Sequence, residues 1–232
     1  MKKTIYLTSK QDGLKLHVLL MEPEQSPKGI VQICHGMAEH KERYEPFMQM
    51  LCDNGYISVI HDHRGHGKSV KDAADLGYFY DDSGKAIIED TYQVTTWMKE
   101  RYGGELPYHL FGHSMGALGV RCYLKKYDDE LDSLIVCGSP SENKAAKAAS
   151  LLAKIACKMG AHKKGEFFQK MAFGLYGKAL EEDESENGWI SYNKENDRRN
   201  VWPPLLSGSI ASLFSLMAEE AHIPAHILSG DS

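Results

Sequence analysis

Apolar and polar positions change rhythm three times along this chain. At the start they favour strands. "TIYLTS" and "LKLHVLLM" flank the turn-prone Lys10-Gln11-Asp12-Gly13, which predicts a hairpin. "GIVQICHG" predicts a third strand ending on His35-Gly36. The period then lengthens to that of a helix over about 42–52, with Tyr44, Phe47, Met48 and Leu51 on one face and Gly55 past its end. "YISVIHDHRGHGKS" reads as a strand running into a glycine-rich loop. A helix over about 85–102 places Ile88, Thr91, Thr95 and Met98 in register. "PYHLFGHS", "MGALGVRCYLKKY" and "LDSLIVCGS" then read as strand, helix and strand. Strands alternating with helices at this spacing predict βαβ units. The fold class is α/β, a mainly parallel sheet flanked by helices.

The second change follows Ser139. Residues 140–208 hold no convincing strand. In "AAKAASLLAKIACKM", Ala145, Ala148, Ala149, Leu152, Ile155, Ala156 and Met159 share one helical stripe, with Lys147, Lys154 and Lys158 opposite. "EEDESENG" is an acidic connector. The third change comes near Ile210, where a helix to Ala221, Pro224 and the apolar run Ala225 to Leu228 restore the earlier rhythm. The expected organisation is a sheet domain over 1–139, a helical insert over 140–208 and a return to the sheet domain over 209–232.

Composition narrows the field. The 232 residues suit one large domain with an insertion, and 42% hydrophobic with 25% charged residues suits a soluble globular protein. The net charge of −5 lacks the basic excess of a nucleic-acid binder. Cys34, Cys52, Cys122, Cys137 and Cys157 form no C-x-x-C pair and read as reduced core residues. "MKKTIYLTSKQDG" has no long apolar stretch behind its lysines, so it is not a secretory signal. A cytoplasmic protein is expected.

Candidate chemistry sits in "LFGHSMGALG". Gly112-His113-Ser114-Met115-Gly116 fits G-x-S-x-G between a strand and a helix. A serine on so sharp a turn has strained backbone angles and an exposed hydroxyl. The residues two before and two after it come so close that only small ones fit. Ser114 is therefore the expected nucleophile, and the new helix aims backbone N–H groups at the reacting oxygen. His35-Gly36, ending an earlier strand, is the expected second wall of an oxyanion hole, with the Met37 and Met115 amides as donors. The side chains of His35, His40 and His113 are expected to shape the site, not to act as bases. "HDHRGHGKS" invites two competing readings. His61, His63 and His66 have the spacing of a zinc loop, but Gly65 stands where an aspartate usually precedes the last histidine. Gly67-Lys68-Ser69 resembles the tail of a P-loop, but Asp62 occupies the first glycine position.

Taken in order, "HGMAEH", "HDHRGHGKS", "GHSMGA" and "IPAHILSGD" resemble the α/β-hydrolases of the monoacylglycerol lipase and lysophospholipase group, the serine aminopeptidase S33-type hydrolases. The resemblance covers nearly the whole chain. It implies a carboxylic-ester hydrolase working through an acyl-enzyme, without metal or organic cofactor, on monoacylglycerol- or lysophospholipid-like esters. It places a lid at 140–208 and makes "HDHRGHGKS" a supporting loop with Asp62 and Arg64 paired. Phe167, Phe168, Phe173 and Tyr176 then either line an acyl slot or pack the lid. Lys147, Lys154, Lys158, Lys163 and Lys164 either meet an anionic membrane surface transiently or form a solvated face. In this group the triad acid follows a glycine as G-x-x-D. After Gly230 that position falls one past Ser232, and Asp231 comes two positions early. The expectation is a C-terminally truncated hydrolase lacking the triad Asp and His, with the last strand and helix, and therefore impaired. A small-ester esterase, an S33-type peptidase and an acyl-binding remnant are the alternatives.

Overall fold

The computed structural model describes residues 1–139 other than Ala38 and Asp82, together with Leu151, Leu213 and residues 215–217. Its strands are β1 (Lys2–Thr8), β2 (Lys15–Met21), β3 (Gly29–Cys34), β4 (Tyr56–His61), β5 (Tyr108–His113) and β6 (Ser133–Cys137). The helices are α1 (Glu45–Asp53), α2 (Lys85–Tyr102) and α3 (Met115–Tyr127). The six strands form one sheet in the order β1-β2-β4-β3-β5-β6. The predicted hairpin pairs β1 with β2 from Lys2↔Met21 to Thr8↔Lys15. β2 runs antiparallel to β4, and the β3–β4, β3–β5 and β5–β6 pairings are parallel.

The sequence of β3 explains its central place. All six residues of Gly-Ile-Val-Gln-Ile-Cys are buried, as a parallel strand covered on both faces requires. Its one polar side chain, Gln32, is hydrogen-bonded through both amide atoms: it donates to Thr91 O (2.9 Å) and accepts from Thr95 Oγ1 (2.8 Å) and Tyr108 Oη (2.5 Å). On one face Met48 and Cys52 of α1 pack with Leu19, Val31, Ile33 and Ile60. In another cluster Val94 and Met98 of α2 pack with Val18, Ile30, Ile57 and Tyr108. Truncating such a side chain to alanine costs about 2–5 kcal/mol. α2 has the predicted limits, and Thr91, Thr95 and Met98 are buried as expected; the buried face is wider and takes in Ile87, Asp90 and Val94, with Ile88 only partly buried. The inward Asp90 is held by Arg64 and Ser9.

Two expectations are corrected. Asp62 and Arg64 do not pair with each other. Asp62 accepts from Lys41 Nζ (2.7 Å), Lys41 N (2.9 Å) and Lys68 N (2.9 Å). The loop wraps it so closely that a Cβ on Gly67 would lie 2.3 Å from the carboxylate. Its acceptor sites are taken by the loop and Lys41. Arg64 reaches the other way, donating from Nε to Asp90 (2.9 Å) and from its terminal nitrogens to Phe79 O (3.0 Å) and Asp12 (3.3 Å). The second correction is Cys137, which is exposed at the end of β6 and not a core residue. Cys34, Cys52 and Cys122 are buried and free as expected, and Cys157 lies outside the described residues.

Leu213 and Leu216 pack with Phe79, Ile87, Met115 and Leu118, which ties these two residues to the sheet domain. Apart from the helical, exposed Leu151, the lid expected over 140–208 lies outside the described residues, as does the strand expected at 225–228. Among the described residues no helix is long and apolar enough to cross a membrane.

Candidate active site

β5 ends at His113 and α3 begins at Met115, so the chain turns from strand to helix on one residue. That residue, Ser114, has φ 54° and ψ −114°, outside the range a serine normally adopts. Its N–H is tied to Cys137 O at the end of β6 (3.0 Å). The spacing of the motif has a measurable cause. A Cβ on Gly112 would sit 2.6 Å from Gly116 O, and one on Gly116 would sit 2.2 Å from Cys34 O. Strand β3, strand β5 and the first turn of α3 meet there with no room for a methyl group.

Gly36 brings the second loop in. A Cβ on it would lie 3.2 Å from Ser114 Cβ and 3.2 Å from His113 Nδ1. Gly36 O accepts a hydrogen bond from His35 Nδ1 (2.7 Å), while His35 Nε2 accepts from His63 N (2.9 Å). A carbonyl can only accept, so His35 is the neutral Nδ1–H tautomer. Burial, with His66 beside it, pushes its pKa down to about 3. In a trans peptide the C=O and the next N–H point oppositely. By holding Gly36 O, His35 fixes the direction of the Met37 N–H. The Met115 N–H is the first of α3, one of the four that a helix leaves without an internal partner. Among the described residues neither amide is hydrogen-bonded. Met37 packs partly buried against the cluster that contains Met115.

The structure thus brings together Ser114, Gly36, Gly112, Gly116, His35, His113, Met37 and Met115. His40 instead contacts Glu42 (2.8 Å). Two residues at the site were not anticipated. Glu39 accepts from Tyr44 Oη (2.7 Å) and Gly36 N (3.3 Å), and its other oxygen lies 3.4 Å from His113 Nδ1. Burial raises the Glu39 pKa, and the bonds from His113 and Tyr44 outweigh it, holding the carboxyl at about 2. The sequence pattern places Tyr44 only on the apolar face of a helix. The available signal was the carboxylate three residues after Gly36. Among the described residues Ser114 Oγ has no hydrogen-bond partner.

The histidine loop makes a different use of its polar residues. His35, His61, His63 and His66 are buried with their rings packed together, His35 to His63 at 4.3 Å between centroids and His61 to His63 at 4.9 Å. Among the described residues no group of three His, Cys, Asp or Glu side chains could hold a metal ion.

A family model described as "Serine aminopeptidase, S33" matches residues 25–219. The chain belongs to this family. Human monoglyceride lipase is 34% identical to it over 105 residues, 45% of this chain and 33% of that protein. A probable lysophospholipase L2 of Haemophilus influenzae is 27% identical over 138 residues, 57% of this chain and 42% of that protein. The chain therefore spans less than half the length of these two relatives. A thermostable carboxyl esterase from Bacillus coagulans superposes with a TM-score of 0.85 at 24% identity, over 93% of this chain and 72% of that one. The fold is that of the α/β-hydrolases, as the family assignment requires.

Proposed function

We propose that the chain carries the nucleophile and oxyanion hole of a serine carboxylic-ester hydrolase for monoacylglycerol- or lysophospholipid-like esters. Ser114 Oγ attacks the ester carbonyl carbon, and the carbonyl oxygen takes up the negative charge. The Met37 and Met115 amides receive that oxyanion. The carbon–oxygen bond to the alcohol then breaks, the alcohol leaves with the serine proton, and water releases the acid from the acyl-enzyme. The observation that carries this reading is the φ of 54° at Ser114, held between glycines that tolerate no side chain. Such strain persists only where the surrounding packing imposes it. Among the described residues no histidine is hydrogen-bonded to Ser114 Oγ. The named relatives support the choice of glycerol- and phospholipid-derived esters.

Labelling by a fluorophosphonate, beside Ser114→Ala, tests the reading. The expected result is labelling that requires Ser114. Loss of the triad histidine alone costs about 10⁶ in serine-protease turnover, so slow labelling that still requires Ser114 also fits. Labelling that survives Ser114→Ala would rule the assignment out. A panel of esters graded by acyl length then separates a lipase from a small-ester esterase.

A further inference from the structure

We propose that Glu39 is a positioning residue that sets the separation between the two oxyanion donors, by clamping the Gly36 loop to the end of β5. The inference rests on the reading of Ser114 as nucleophile.

The two donors belong to different parts of the chain. Met37 follows β3, and Met115 opens the helix after β5. β3 and β5 are hydrogen-bonded neighbours as far as Cys34↔Gly112. Beyond that pair the sheet ladder no longer fixes one loop against the other. The Glu39 carboxylate sits in that gap, 8% exposed. One oxygen receives the Gly36 N–H (3.3 Å) and the Tyr44 hydroxyl (2.7 Å). The other faces His113 Nδ1 at 3.4 Å. Tyr44 Oη also lies 3.1 Å from His113 Nδ1. Its proton goes to Glu39, so its oxygen accepts and His113 Nδ1 donates. The carboxylate and the tyrosine together hold Gly36 from one side and His113, the residue before Ser114, from the other.

Two clamps therefore act on the Gly36 backbone. His35 holds its carbonyl, which sets the direction of the Met37 N–H. Glu39 holds its N–H, which sets where that peptide lies relative to the elbow. A donor misplaced by a fraction of an ångström stabilises the oxyanion less, because the stabilisation depends on preorganised geometry. Glu39 touches neither substrate nor reacting atoms in this account; it acts through Gly36 and His113.

The test compares the full chain with Glu39→Ala, Glu39→Gln and Ser114→Ala. Fluorophosphonate labelling is resolved into kinact and KI, beside a thermal melt of each variant. Losing an oxyanion donor outright costs about 10²–10³ in rate, so a displaced donor should cost less, on the order of tenfold in kinact for Glu39→Ala. KI should not move. Glu39→Gln keeps an oxygen that accepts from Gly36 or Tyr44, so it should fall between Glu39→Ala and the wild type. Should Glu39→Ala fail to fold, the isosteric Gln variant decides alone. An unchanged kinact in both variants overturns the role of Glu39 and leaves the Ser114 reading intact. So does a fall in kinact that only tracks the unfolded fraction in the melt. A folded wild-type chain that the fluorophosphonate does not label at Ser114 removes the nucleophile reading, and the role of Glu39 with it.

Discussion

The elbow at Gly112–Gly116 and the loop at His61–Ser69 look alike in composition. Both follow a parallel strand and both are glycine-rich, and the elbow carries one histidine where the loop carries three. They differ in where their polar groups end up. In the loop, Gly67 closes over Asp62, Arg64 and the Lys41 that Asp62 holds are fully buried in ion pairs, and the three histidine rings pack with that of His35. In the elbow, the glycines press three backbones together and leave the Ser114 hydroxyl and two amides unpaired among the described residues. By residue type the loop invites zinc-loop and P-loop readings beside the G-x-S-x-G of the elbow. The state of the hydrogen bonds marks the elbow.

The largest effect that separates the two regions is the pair Ser114→Ala and Arg64→Met. Ser114→Ala should abolish covalent labelling. In a complete serine protease, loss of the serine costs about 10⁶ in turnover. It should leave the melting curve nearly in place, because no described hydrogen bond to Oγ is lost. Arg64→Met should do the reverse. It leaves Asp90 buried beside Ser9 without its cation, a change that typically costs about 3–5 kcal/mol. Chemical denaturation should read that loss, while the folded fraction labels at the wild-type rate. Equal damage to labelling and stability from either variant would erase the distinction between the regions.

A smaller effect contrasts two glycines one turn apart in α3. A Cβ on Gly116 would lie 2.2 Å from Cys34 O, whereas one on Gly119 would meet nothing nearer than Ile87 Cγ2 at 3.8 Å. Gly116→Ala must move β3 or the elbow and should cost roughly 1–3 kcal/mol or more, with labelling reduced in step. Gly119→Ala should be neutral or stabilise by about 0.4–1 kcal/mol, because alanine has less backbone freedom to lose. Denaturant midpoints of the two variants check this. A tolerant Gly116 would remove the steric reason for the motif.

What was legible in the sequence follows the range of the interaction. The hairpin, the limits of α2 at Lys85 and Tyr102 and the strand-to-helix turn at Ser114 all come from local period and turn chemistry. The elbow glycines were legible because the contact they permit, Gly112 against Gly116, is itself local. The partners of Asp62 and Arg64 were not, because Lys41 and Asp90 lie 21 and 26 residues away. Glu39 escaped for the same reason. Its role depends on His113, which β3–β5 pairing brings near and no spacing along the chain announces. Cys137 misled because a run such as "SLIVC" reads as a buried parallel strand, whereas β6 is largely exposed. The roles assigned to Ser114, Met37 and Met115 are proposals for the labelling experiments to decide.

The smallest effect is a dependence of stability on pH that belongs to the loop, with one member shared by the site. Burial lowers the pKa of His61 to about 4 and of His35 to about 3, and it lowers His63 and His66 as well. Unfolded, each titrates near 6.5. Between those limits the unfolded chain binds protons that the folded chain refuses. Stability is therefore intact above about 6.5 and is lost as the pH falls toward 4 and then 3. Asp90 works in the opposite direction. Burial raises it to about 6, with Arg64 holding it down, so the folded chain gains its proton first and is favoured as pH falls through 6. Glu39, held at about 2, contributes stability that is lost only at lower pH. Four histidines against one aspartate leave a net loss, so urea midpoints should fall between pH 6.5 and 4.5. His61→Phe isolates the cause, because neither ring nitrogen of His61 has a partner among the described residues. The variant should flatten that slope and leave the midpoint at pH 7.5 little changed or higher. An unaltered slope would assign the acid sensitivity to the remaining three rings, among which only His35 touches the Gly36 loop through a hydrogen bond. A proton on His35 enters at Nε2, where it displaces the His63 N–H and leaves the Nδ1–H bond to Gly36 O in place, so the acid sensitivity would act on the loop and not on the Met37 amide.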